Sequence, residues 1–127
     1  MDLELKGKAA IVTGGNRGIG KAIARELARE GVNVALVARD KAALASTAAE
    51  IERESGVKVL QLSADTGDDA AVKKAVSDTA AAFGRIDILV NCAGQVGGQS
   101  KPPVLGEITN DHFWGDMNIK VLGYLRM

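Results

Sequence analysis

TGGNRGIG, residues 13–20, puts four glycines in eight positions. The stretch follows a short β-branched run, AAIVTG (Ala9–Gly14), and precedes an amphipathic segment, KAIARELARE (Lys21–Glu30). Gly14 ends the strand, and Gly18 and Gly20 lead into the helix. Such a strand–turn–helix passage aims backbone N–H groups and the positive helix terminus at one point, where a pyrophosphate can sit. Glycine permits positive φ in the turn and close approach of a phosphate, and a third glycine lets helix and strand pack tightly. The spacing is G-x-x-x-G-x-G rather than G-x-G-x-x-G, so a tight βα turn without a ligand is the competing reading.

Working outward, apolar runs alternate with Ala-rich helical segments. The runs are AAIVTG, VNVALVAR (Val32–Arg39), VKVLQLSAD (Val57–Asp65) and IDILVNCAG (Ile86–Gly94). Between them lie KAIARELARE, KAALASTAAEIERE (Lys41–Glu54) and DDAAVKKAVSDTAAAF (Asp68–Phe83). Ile23, Ala24, Leu27 and Ala28 form a helical stripe, with Lys21, Arg25 and Arg29 largely off it; Val72, Ala75, Val76, Thr79 and Phe83 form another. Gly31, Gly56 and Gly84 are expected C-caps, and Asp40 and Asp68 expected N-caps. The β-α-β-α-β-α-β order predicts an α/β fold with a parallel sheet covered on both faces. The first, second and fourth runs have the continuous apolar character of strands buried on both sides. QVGGQSKPPVLGE (Gln95–Glu107) reads as a loop, and a last helix is expected from Thr109 or Asn110 through Trp114, Met117, Val121 and Tyr124.

The totals narrow the function classes. At 127 residues the chain fits one domain, and its 16 basic and 16 acidic residues cancel, which offers no support for a nucleic-acid or anionic-membrane partner. One cysteine, Cys92, and one histidine, His112, provide neither an internal disulfide nor a Cys/His metal site. Four aromatics are too few for a base-stacking platform. The opening MDLELKGK does not read as a signal peptide, so a reducing, cytoplasmic setting is the expectation. Cys92 is expected to be a small buried strand residue, His112 a surface or capping residue, and Phe113 and Trp114 packing residues of the last helix.

Four motifs in order resemble the short-chain dehydrogenase/reductase family. TGGNRGIG is similar to its T-G-x-x-x-G-x-G cofactor motif. NCAG (Asn91–Gly94) resembles its N-N-A-G, with Cys92 in place of the second Asn. Asp65 resembles the Asp that receives the adenine amino group, and Asn118, in FWGDMNIKVLGY, the Asn of the following helix. The resemblance implies a Rossmann-type doubly wound parallel sheet, of which four strands are present in the order 3-2-1-4. It also implies a dinucleotide site drawing on Thr13, Gly14, Asn16, Arg17, Gly18, Ile19 and Gly20, on Arg39 and Asp65, and on Asn91, Ala93 and Gly94. Asn118 is the one member of the family's catalytic set present, and no metal is implied.

The second strand ends LVARD (Leu36–Asp40). NAD-selective sites carry an acidic residue there to accept from the ribose 2′-OH. Here that position is Ala38, followed by Arg39, and Arg17 precedes Gly18. Two guanidinium groups suit a 2′-phosphate, which favours NADP(H) over NAD(H), although the Asp40 carboxylate lies close in sequence.

The family's general acid/base is a Tyr with a Lys four residues on, which lowers its pKa for proton exchange with a carbonyl or alcohol substrate. The sole tyrosine, Tyr124, lies six residues after Asn118 and reads as packing, and Ser100 comes too early to match the family's substrate-orienting Ser. The chain, residues 1–127, is therefore expected to be the dinucleotide-binding front part of an NADP(H)-dependent oxidoreductase, ending before the Tyr-x-x-x-Lys region. The alternative is a catalytically incomplete dinucleotide-binding or interaction module. In either case the fourth strand becomes an apolar edge that invites pairing with another chain. Self-association is the expected outcome: sedimentation at rising concentration should show species larger than a monomer, and a clean monomer would contradict it.

Overall fold

The four apolar runs form four strands, β1 (Ala9–Thr13), β2 (Asn33–Ala38), β3 (Val59–Ser63) and β4 (Ile88–Asn91). All pair in parallel in the order β3-β2-β1-β4, as the resemblance implied. The computed structural model describes residues 1–94 and 105–127. Most of the loop expected over Gln95–Glu107, including Ser100 and Lys101–Pro103, lies outside the described residues, and Leu105–Glu107 forms a 3-10 turn. Strands are shorter than the sequence runs, so Asp65 stands two residues beyond β3 rather than at its end.

Alternation across the central strands explains the two-sided cover. Ala10, Val12, Val34 and Leu36 face one side with Ala24 and Ala28 of α1 (Gly18–Arg29) and Leu44, Ala48 and Ile51 of α2 (Lys41–Ser55). Ile11, Ala35 and Val37 face the other, with Leu62 and with Ala75 of α3 (Asp69–Phe83). Each fully buried branched side chain contributes roughly 1.5–3 kcal/mol, so the double-sided β1–β2 pair is the main source of cohesion. Glu50 of α2 receives Lys21 at 2.6 Å and also Arg25, tying α2 to α1. These pairs are about a third exposed and add little beyond orientation.

Four of the five expected caps form; α1 instead ends on Glu30, with Gly31 next in the left-handed region. Asp40 and Asp68 accept from the N–H groups of Ala43 and Ala71, and Gly56 and Gly84 close α2 and α3 in the left-handed region. Three expectations are corrected. On α1 the fully buried stripe is Gly20, Ala24 and Ala28, because small residues let the helix lie close on the sheet; Ile23 and Leu27 are only half-buried. The fourth run is not buried on both sides: among the described residues β4 has a neighbour only in β1, and Leu89 is 43% exposed. Phe113 and Trp114 pack edge-to-face on each other, centroids 5.3 Å apart, but are more than half exposed.

The last helical stretch begins at Thr109, whose Oγ1 accepts from His112 N–H while His112 Nδ1 accepts from Thr109 N–H, so His112 is a capping residue. It runs as α4 (Asn110–Met117), a π-helical turn (Asn118–Leu122) and α5 (Gly123–Arg126). The sequence pattern showed the helix and missed the wide turn inside it. Among the described residues no helix is long and apolar enough to cross a membrane.

Asp87, just ahead of β4, links the bottom of that strand to β1. Its Oδ2 accepts from Ala9 N–H at 2.9 Å and from Arg85 Nε at 2.7 Å, and Ala9 carbonyl accepts from Asp87 N–H. The Arg85 guanidinium first, then the Ala9 N–H, hold the Asp87 carboxyl down from 3.8 to about 2. A depressed acid stabilises the folded chain above its unfolded pKa, and that contribution is lost as pH falls through the folded value. Urea denaturation should therefore show the unsubstituted chain losing more stability than Asp87→Asn between pH 3.8 and about 2.

Candidate functional site

In a parallel sheet the loops leaving the carboxyl ends of the strands meet on one rim, and the crevice opens where the connections reverse direction, here between β1 and β4. A cleft of about 1090 Å³ lies there, lined by residues that follow every strand. Gly14, Asn16, Arg17, Gly18 and Ile19 come from the turn after β1, and Arg39 and Asp40 from the end of β2. Ala64, Asp65 and Thr66 follow β3, and Cys92, Ala93 and Gly94 follow β4. Ile119 and Lys120 of the π-helical turn reach the same space.

The glycine turn is held from beneath. Thr13 is fully buried, and its Oγ1 accepts from the N–H groups of Cys92 at 3.1 Å and Ala93 at 3.2 Å, joining the ends of β1 and β4. A side chain at Gly20 would put its Cβ 2.2 Å from the Gly14 carbonyl oxygen, so α1 can start where it does only with glycine there. At Gly14, with φ of +66°, a Cβ would lie 2.7 Å from the Cys92 carbonyl. Gly18 also has positive φ, +56°, but a Cβ there would meet nothing within 4 Å. Gly14 and Gly20 thus serve packing, as does Gly15, where a Cβ would lie 2.8 Å from Leu36 Cδ2, and Gly18 leaves backbone bare to the cleft.

α1 begins differently from its neighbours. Asp40 and Asp68 cap α2 and α3, whereas the N-cap of α1 is Arg17, in extended conformation, with no side-chain cap and no acidic residue in the first turn. The leading N–H groups of a helix carry partial positive charge and need an acceptor. Here they stand at the cleft with a cationic side chain beside them. Neither Arg17 nor Arg39 takes part in an ion pair among the described residues. The Asp40 carboxylate is engaged at the N-terminus of α2, where Oδ1 accepts from Ala43 N–H at 3.0 Å.

Nine of the thirteen residues singled out by sequence line this cleft: Gly14, Asn16, Arg17, Gly18, Ile19, Arg39, Asp65, Ala93 and Gly94. Thr13 and Gly20 lie under it as packing elements, and Asn91 ends β4, its Oδ1 3.5 Å from Thr13 Oγ1. Asn118 is not on the wall. Its Nδ2 donates to Gly67 carbonyl at 3.4 Å, and its Oδ1 accepts from Arg126. Asp65 Oδ1 accepts from Gly67 N–H at 2.8 Å. Cys92, expected as a buried strand residue, is half-buried just past β4 and faces the cleft. Tyr124 is half-buried and donates its hydroxyl to Ala93 carbonyl at 2.9 Å, in keeping with packing. Sequence reading missed Thr66, Ile119 and Lys120. The signal available for the last two was their position beside Asn118, but which face of that helix meets the cleft depends on the π-helical turn.

Comparison with known proteins matches residues 8–127 to the family described as short chain dehydrogenase. A short chain dehydrogenase of Pseudocercospora fijiensis is 45% identical over 91 residues, 72% of this chain and 29% of that protein. L-Sorbose reductase from Gluconobacter frateurii, solved with NADPH and L-sorbose, superposes with a TM-score of 0.90 at 32% identity, over 99% of this chain and 46% of its own. 3-Ketoacyl-(acyl-carrier-protein) reductase from Brucella melitensis, solved with NADH, gives a TM-score of 0.86 at 34% identity, over 97% of this chain and 48% of its own. The chain spans less than half the length of each of these relatives.

Gly20→Ala tests the packing argument. The clash is with backbone rather than with the end of a flexible side chain, so helix and turn must separate. A loss of about 1–3 kcal/mol in unfolding free energy is expected by urea denaturation.

Proposed function

The chain belongs to the short chain dehydrogenase family, and on that premise we propose that it is the cofactor-holding part of an NADP(H)-dependent oxidoreductase acting on a carbonyl or alcohol substrate. The observation that carries this reading is the uncapped start of α1, with its cationic N-cap and open Gly18, at the rim of the cleft. A dinucleotide pyrophosphate supplies the acceptors that those N–H groups lack. When bound, the nicotinamide would give or take the hydride; the residues here bind and orient.

Within this reading Gly14, Asn16, Gly18 and Ile19 form the phosphate cradle, resting on Thr13 and Gly20. Asp65 receives the adenine amino group, and Asn91, Ala93 and Gly94 close the far wall. Arg17 and Arg39 take the 2′-phosphate, supported by the absence of a carboxylate at Ala38 and by the place of both arginines on the cleft wall. Asn118 keeps its family role as a member of the catalytic set, acting from behind the wall. Solved relatives carry both NADPH and NADH, so the preference rests on these residues of the chain itself.

A second reading has its own observation. The one tyrosine donates its hydroxyl to Ala93 carbonyl, and no other tyrosine is available as proton donor. By itself, then, the chain would hold a dinucleotide without turning it over. Reduction of a carbonyl by the purified chain would remove this alternative.

The cofactor assignment is tested by Arg39→Asp combined with Arg17→Ser. Fluorescence titration should show NADPH binding weakened by about tenfold or more relative to NADH, since each lost charge-assisted contact falls on the 2′-phosphate. Equal losses for the two cofactors would overturn the NADP preference.

A further inference from the structure

We infer that Arg126 is a positioning residue for the cleft: its guanidinium fastens the π-helical turn carrying Asn118 and Ile119 to the loop after β3 carrying Asp65. The inference rests on the reading of the cleft as a dinucleotide site. Arg126 Nη1 donates to Asn118 carbonyl at 2.9 Å and Nη2 donates to Asn118 Oδ1 at 2.7 Å, a two-pronged contact with one residue. Nη1 also donates to Thr66 carbonyl at 3.2 Å, and Nε donates to Asp69 at the start of α3. One side chain, only 20% exposed, thus joins three segments.

The π-helical turn makes the fork possible. Gly123 N–H donates back to Asn118 carbonyl, a wider closure than that of an α-helix. Gly123 is buried, and a Cβ there would lie 3.1 Å from Thr66 carbonyl oxygen, so the turn sits directly on the β3 loop. From Asn118 the network continues through Gly67 to Asp65. A Cβ at Gly67 would meet Asn118 Nδ2 at 2.7 Å and Ile119 Cδ1 at 3.1 Å, so no slack separates the turn from the loop. Loss of the fork frees both Asp65 and Ile119, and both line the cleft. A planar guanidinium can span Asn118 carbonyl and Oδ1 together; an ammonium offers one point charge and cannot. The Asp69 pair contributes less, because that carboxylate is 73% exposed.

The test is NADPH titration of the full chain by nicotinamide fluorescence, with hydrogen exchange on the same samples. Arg126→Leu and Arg126→Lys should each raise the NADPH Kd about tenfold, as expected when binding groups lose their alignment. Asp69→Asn should stay within about twofold, as an exposed pair allows. Exchange at the Gly67 and Gly123 amides should quicken in Arg126→Leu while α1 and α2 keep their protection. If the Leu variant does not fold, the Lys variant decides. A folded Arg126 variant that binds NADPH as the unsubstituted chain does would overturn the inference alone, as would uniform loss of protection or failure of both variants to fold. Failure of the unsubstituted chain to bind NADPH would overturn the proposed function and this inference together.

Discussion

Everything at the rim of this sheet depends on how closely α1 approaches the end of β1. With Gly20 against the Gly14 carbonyl, and Gly14 against the backbone of Cys92, three chain segments meet almost backbone to backbone. That contact fixes where the first helical turn begins and therefore where its N–H groups, uncapped among the described residues, point. Thr13 reinforces it by accepting the N–H groups of Cys92 and Ala93 just beyond β4. Thr13, singled out by its place in the glycine motif, thus ties the turn after β1 to the end of β4.

The electrostatics follow from the same geometry. α2 and α3 satisfy their leading N–H groups with their own aspartates, and the α1 terminus has an arginine where an acid would neutralise it. A helix end of that kind favours an anion, and the cations of Arg17 and Arg39 extend the preference along the cleft. Asp40 is the counterweight at this end: its carboxylate caps α2 by accepting from Ala43 N–H, and the residue also lines the cleft.

Behind the opposite wall, the π-helical turn sets which residues of the last helix face the cleft. Ile119 and Lys120 line it, while Asn118 turns to Gly67 and Arg126. The exposed Leu89 on β4 and the exposed Phe113 and Trp114 lie outside this network.

Local chemistry determined the larger part of the fold. Alternating runs and helical stripes, glycine stops and aspartate caps are properties of a few neighbouring residues, so element order, capping and the glycine turn were legible before any coordinates. Nine of the thirteen residues read from motifs line the cleft for the same reason: each follows the end of a strand, and parallel strands bring those ends together. What only the tertiary structure decided are the features set by partners distant in sequence. The place of β4 at the edge of the described sheet, the burial of Thr13 and the commitment of Tyr124 to Ala93 depend on residues dozens of positions away. The wide turn at Asn118, fastened by Arg126 to the loop after β3, belongs with them, because a phase slip of one residue cannot be read from the few positions that follow it.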